Sequence, residues 1–258
     1  MKLADATIKN VTLPTEHGAS VMLGESLCAG LFIAASAKGF LPALGWLFIF
    51  LLIHPFKIAV KDMSHGIMTA RTSTALWCSA VFGLLAGSLI IATYIVSGFS
   101  FLFVLAGVIP LGILHLWAVV NANKRELTAE LSGALSLGAP AASILLVAGH
   151  PYAQALALWT VLAVRALTSV IYVRERLNQS RGKINNIGLV EQVHTAGMAV
   201  LWAMVLVHLV KPLIFIAGFL LVMRLWLLYQ RRPITAINLG LQELMLGAAF
   251  VILTIFSF

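Results

Sequence analysis

Five charged side chains in this sequence fall inside or at the mouth of long apolar runs: Glu25, Glu130, Arg165, Arg224 and Glu243. A charge set in hydrocarbon is costly, so such groups turn inward, pair with one another and mark sites. Guanidinium groups grip anionic heads through paired hydrogen bonds. Carboxylates beside imidazoles can move protons. The chemistry open to these residue types is recognition of an anionic group, with acid–base work near it.

Spacing sharpens the pattern. At 100° per residue, Arg165, Thr168, Tyr172 and Arg176 fall on one stripe of a helix. Arg165 lies about 13 Å below the end of that helix, close to mid-bilayer, where an arginine facing lipid costs at least ~2.5 kcal/mol. It should face the bundle and pair with a carboxylate, Glu130 or Glu25. His54, Lys57 and Lys61 share a face of another helix, with Pro55 expected to kink it. Lys57, Lys61, Arg174 and Arg176 also have a plainer reading, as long side chains snorkelling to headgroups. The adjacent Glu16 and His17, in the turn-forming segment Pro14-Thr-Glu-His-Gly, are an acid and an imidazole at a membrane surface. They are candidates for acid–base catalysis together with Glu130, or else simply cap a helix.

These groups need a scaffold. Hydrophobic residues make up 61% of the 258 and charged ones 10%, which is a lipid-solvated composition rather than that of a soluble domain. Nine apolar segments read as spanning helices, at about 19–38, 41–60, 74–96, 99–118, 128–148, 151–173, 194–210, 212–229 and 238–257. With the N-terminus cytoplasmic, thirteen lysines and arginines fall on the cytoplasmic side, only Lys38 and Lys211 on the other, and Arg165 and Arg224 within helices. That is a strong positive-inside signal. The expectation is one all-α transmembrane domain over 1–258, with nine spans, N-terminus in and C-terminus out.

The net charge of +8 is explained by this topology and by anionic headgroups, so it gives no reason to expect nucleic acid. No cleavable signal peptide is visible at the start. Walker, GxGxxG, HExxH, CxxC and GxSxG motifs are absent, and the seven histidines show no metal-ligand spacing. No metal site is expected, and the sequence names no cofactor. Cys28 and Cys78 fall in different spans and read as small packing residues. Polar residues of the spans cluster toward their cytoplasmic ends; only His150 and His208 lie toward the outer side. The expectation is one cytoplasm-facing pocket with Glu25, His54, Lys57, Lys61, Arg165, Tyr172, Arg176, Arg224 and Glu243 as substrate-binding candidates. Its inner half should be apolar, as a lipid tail requires.

The segment Pro14-Thr-Glu-His-Gly-Ala19, running straight into a span, resembles the opening of the YwiC-like family of bacterial membrane proteins. His54-Pro55 and the segment Arg174-Glu-Arg-Leu-Asn-Gln-Ser-Arg-Gly-Lys183 are similar to that family too, and the length and span count fit over the whole chain. Ser20 stands where an aromatic residue is common. The resemblance implies a multi-pass protein of the bacterial cytoplasmic membrane; no activity comes with it. In architecture alone the chain looks like the UbiA-type intramembrane prenyltransferases, which have nine helices with polar loops after the second and sixth. Those enzymes hold magnesium and a prenyl diphosphate on Asp-rich motifs in the two loops. Here the matching segments, His54–Asp62 and Arg174–Lys183, carry basic residues instead, so no metal ligand transfers. The resulting expectation is a UbiA-like bundle that binds a membrane lipid or isoprenoid with an anionic head and modifies it by group transfer. The alternative is a transporter or a non-catalytic assembly factor of a membrane complex.

Overall fold

The computed structural model describes residues 11–12, 17–66, 68–121, 127–183, 186–230 and 234–258, without the side chains of His17 and of residues 119–121. Its elements are all helical: α1 (His17–Ala34), a 3-10 turn (Ala37–Gly39), α2 (Phe40–Ser64), α3 (Ala70–Ser97), α4 (Leu102–Asn121), α5 (Leu127–Ser136), α6 (Ala139–Val147), α7 (Tyr152–Ser180), α8 (Ile187–Leu206), α9 (Ile214–Tyr229) and α10 (Ala236–Ser257). Among the described residues, six helices are long and apolar enough to cross a bilayer: 37–64, 70–97, 127–147, 152–180, 187–206 and 236–257. Three shorter apolar helices, 18–34, 102–118 and 214–229, accompany them among the described residues. The molecule is thus a multi-pass helical membrane bundle. Backbone groups satisfied within each helix are what hydrocarbon demands.

Three features differ from the sequence expectation. The fifth span is broken into α5 and α6 at Leu137–Gly138. Pro140 near the start of α6 has no N–H to continue the ladder. The Trp159 indole donates to the Leu135 carbonyl at the break, 2.9 Å away, and Ser26 Oγ accepts from the Ala141 amide at 3.1 Å. Pro55, by contrast, is carried inside an unbroken α2. The sixth span runs on to Ser180, so Arg174 to Ser180, expected in a loop, are helical. This extension is anchored: Glu175 accepts from the Asn186 amide at 2.7 Å, and the Asn186 side chain caps the next helix through the Leu189 amide.

The core has two ends. Every residue of α6 is buried, wedged among α1, α2, α4 and α7. Its apolar cluster includes Ala29, Trp46, Val104, Ile144, Leu145 and Leu158. Beside it, Val161, Leu201, Ile214 and Phe250 close α7 on α8, α9 and α10. The opposite end of α7, around Tyr172, Val190, Leu228 and Leu239, forms a third cluster. Between these ends, α7, α8, α9, α10 and α1 bring their polar side chains together. The α2–α3 hairpin stands to one side. Its helices pack chiefly on each other, and Trp77, Leu84 and Ile95 of α3 are exposed, as lipid-facing positions are.

A buried ionic cluster as the candidate functional site

Arg165 of α7 is 2% exposed and Arg224 of α9 is 1%. Two carboxylates meet them. Glu25 of α1 accepts from Arg165 Nη2 at 3.2 Å. Glu243 of α10 accepts from Arg165 Nη1 at 3.2 Å and from Arg224 Nη1 at 2.9 Å. Arg165 Nη2 also donates to the Glu243 backbone carbonyl at 3.0 Å. Two cations and two anions share one enclosed volume, each holding groups from another helix. Desolvated charges survive folding only with such close, multiple pairing.

Neutral groups complete the arrangement. Ser169, one turn on from Arg165, accepts from Arg165 and from Arg224 Nη1, the latter at 3.1 Å, and gives its own proton to Glu243. That uses the donor and both acceptor positions of one hydroxyl. His194 of α8 accepts from Arg224 Nε at 3.1 Å, and its Nδ1 lies 2.7 Å from the Val190 carbonyl. Arginine can only donate, so Nε2 carries the lone pair and Nδ1 the proton. The Arg224 guanidinium carbon lies 4.9 Å from the centroid of the buried Tyr172 ring, a cation–π contact. Gly247 makes room for the centre: a Cβ there would collide with the Glu25 carboxylate and stand 2.8 Å from Arg165 Nη2.

The structure therefore brings together Glu25, Arg165, Tyr172, Arg224 and Glu243 from the sequence-derived set. Of the two acids considered for Arg165, Glu25 is the partner. Glu130 lies at the start of α5 and pairs with Arg174 at 3.1 Å. Arg176 is buried on α7 at the loop-rich end, its guanidinium bonded to Gln179. His54, Lys57 and Lys61 ride on α2, whose main neighbours are α3 and α6. Glu16 and the His17 side chain lie outside the described residues. His150 bonds to Gln154 at 2.9 Å, and His208 takes up positive φ, 59°, in the turn after α8.

Sequence reasoning missed Ser169 and His194. It chose Thr168 for the stripe, but the Thr168 hydroxyl bonds back to the Val164 and Arg165 carbonyls of its own helix. Ser169 carried a readable signal, the i, i+4 spacing from Arg165. His194 stands at the very start of the span expected over 194–210, whereas α8 begins at Ile187. At the centre of the cluster the described side chains meet one another directly. One apolar crevice lies beside the cluster, lined by Val164, Thr168, His194, Met198, Leu201, Gly218, Leu221 and Val222. Another lies at the far end, lined by residues such as Trp46, Ile90 and Phe101. Among the described residues, no grouping of three or more His, Cys, Asp or Glu side chains is set to hold a metal. The two cysteines are free, Cys28 being exposed rather than packed inside.

A family model described as YwiC-like protein matches residues 13–145, just over half of the chain. Glu25 lies within that stretch, while Arg165, Arg224 and Glu243 lie beyond it. No curated protein and no solved structure matches the chain.

Proposed function

The chain belongs to the YwiC-like protein family, and from that premise we propose that it receives an amphiphile with an anionic head, a membrane lipid or isoprenoid, in the cytoplasmic half of the bundle. One observation carries this reading: the bundle divides along its length. Charges converge from α1, α7, α9 and α10 at one level, on the side where the long polar connections lie, and the other end is closed by the apolar packing around α6. A charged level for a head, with an apolar crevice beside it lined by Val164, Met198, Leu201 and Leu221 for a tail, meets the two requirements of an amphiphile. The orientation assigned is N-terminus in and C-terminus out, in the bacterial cytoplasmic membrane, as the distribution of lysine and arginine favours. Group transfer on the head is the reaction class assigned, by the UbiA-like architecture alone. Its candidate acid–base groups are Glu16, His17 and Glu130.

A second reading has its own support. Two arginines and two glutamates balance one another, so the cluster can stand as a purely structural lock in a non-catalytic assembly factor. A transporter has less in its favour, because the far side offers little beyond His150 and His208 as a polar route through the spans. The deciding experiment is mass spectrometry of the lipids that copurify with the protein. One anionic amphiphile, enriched over its share of the host membrane, is the expected result. Bulk lipid in bulk proportions would favour the structural lock.

A further inference from the structure

The polar stripe of α7 does not end at the balanced cluster. One turn beyond Tyr172 stands Arg176, only 4% exposed. Its guanidinium donates to the neutral Gln179 side chain, which is itself held by the Leu228 carbonyl at 3.0 Å. The neighbouring Glu175 is committed elsewhere, to the Asn186 amide and the Asn178 side chain. Among the described residues, no carboxylate comes within ion-pair distance of Arg176; the four pairs present are Arg165–Glu25, Arg165–Glu243, Arg224–Glu243 and Arg174–Glu130. Arg176 is a buried cation bonded to a neutral amide, a state that burial penalises unless an anion is supplied.

Three buried donors on Arg176 and on the neighbouring Tyr172 and Arg224 lack a hydrogen-bond partner: Arg176 Nε, Arg224 Nη2 and Tyr172 Oη. Gln242 lies beside the Tyr172 hydroxyl but does not reach it with hydrogen-bond geometry. Arg224 covers the Tyr172 ring, and Arg176 follows Tyr172 at i, i+4 on the same face, so the two arginines flank the phenol. Buried donors are rarely left unpaired in a native protein.

We infer that Arg176, Tyr172 and Arg224 form a subsite for a phosphoryl oxyanion at the loop-rich end of α7, an inference that deepens the amphiphile reading and rests on it. A phosphoryl group brings close to two negative charges and three acceptor oxygens, one for each idle donor. A carboxylate has two oxygens and leaves a donor bare. The phosphoryl group can belong to a lipid head or to a soluble phosphate; the recognition chemistry is shared.

The test uses the full chain in detergent, titrated with a lysophosphatidate, with inorganic phosphate and with acetate, binding being read by native mass spectrometry. Wild-type protein should bind a phosphoryl probe in preference to acetate. Arg176→Gln should weaken it about tenfold or more, the loss expected of one charge-assisted hydrogen bond, and Tyr172→Phe by a smaller factor. Tighter binding of lysophosphatidate than of phosphate assigns a lipid head, and equal binding a soluble ester. Binding by Arg176→Gln within about twofold of wild type, or equal binding of acetate, overturns the subsite. If Arg176→Gln does not fold, Tyr172→Phe decides alone, unchanged binding again being the negative result. An anionic amphiphile that copurifies with wild type and Arg176→Gln alike removes the subsite and leaves the wider reading standing. No such amphiphile and no probe binding to wild type removes both.

Discussion

The two ends of the bundle hold their helices together by different means. Around α6 the contacts are apolar and close. The Cβ that Gly30 lacks would stand 2.8 Å from the Ala141 Cα, so α1 and α6 meet almost backbone to backbone. Around Arg165 the contacts are ionic and span α1, α7, α9 and α10. In lipid, apolar side chains gain little by leaving one apolar phase for another, and helix association rests on tight packing at small residues. That mode can hold helices without saying much about which charges meet. The ionic end supplies the missing specificity, at the risk that removing any one member strands another.

That risk gives the largest expected effect. Among the described residues, Arg224→Leu leaves Glu243 with Arg165 as its one cation and strips His194 of its donor. The expected loss of stability is about 3–5 kcal/mol, as for other buried ion pairs broken on one side. The double variant Arg224→Leu with Glu243→Leu keeps the Arg165–Glu25 pair balanced and should lose less than the single one. Thermal midpoints of both proteins in one detergent measure this. A double variant less stable than the single would show that the ionic end is not a charge-balanced unit, and the contrast between the two ends would fail.

What the sequence could and could not supply follows the same division. Glu25, Arg165, Arg224 and Glu243 are legible because a charge in an apolar span has few explanations. The choice of Glu25 over Glu130 is not legible, since it depends on how α1 and α5 sit against α7. The break before α6 leaves a trace in Gly138 and Pro140, but the length of the apolar run hides it. Ser169 and His194 are ordinary residues by type; spacing ties Ser169 to Arg165, but only the fold brings Arg224 to both of them. The α7 extension to Ser180 is not legible because its polar composition matches that of a loop. Periodicity alone does not distinguish a polar helix from a polar connection.

The glycines of the two ends offer a sharper contrast of intermediate size. At Gly30 the obstacle is the Ala141 backbone, which cannot swing away, so Gly30→Ala should cost about 1–3 kcal/mol through separation of α1 from α6. At Gly247 the obstacles are the far ends of Glu25 and Arg165. Those side chains can turn aside, but only by loosening their bond. Gly247→Ala should therefore cost less in a wild-type background. It should cost less still once Glu25 is replaced by Gln, because the charged pair it disturbs has already gone. Thermal midpoints of Gly30→Ala, Gly247→Ala and the Glu25→Gln combinations separate the cases. A penalty for Gly247→Ala that Glu25→Gln leaves unchanged would mean that the glycine serves backbone packing at both ends.

The smallest effect belongs to Arg174 and Glu130. Their bond, 3.1 Å, is as short as those of the central cluster, but the side chains are 35% and 28% exposed. Solvent and salt screen a pair so placed, and holding two long side chains in one geometry offsets much of its attraction, so the net value is about 0–1 kcal/mol. Glu130→Gln should leave the thermal midpoint close to that of wild type, and raised salt should erase what difference there is. The same substitution bears on the assignment of Glu130 as an acid–base group, which stability alone would not reveal. A loss of stability approaching that of Arg224→Leu would place Glu130 inside the coupled ionic network. The boundary between a buried lock and a surface pair would then lie nearer the ends of α5 and α7.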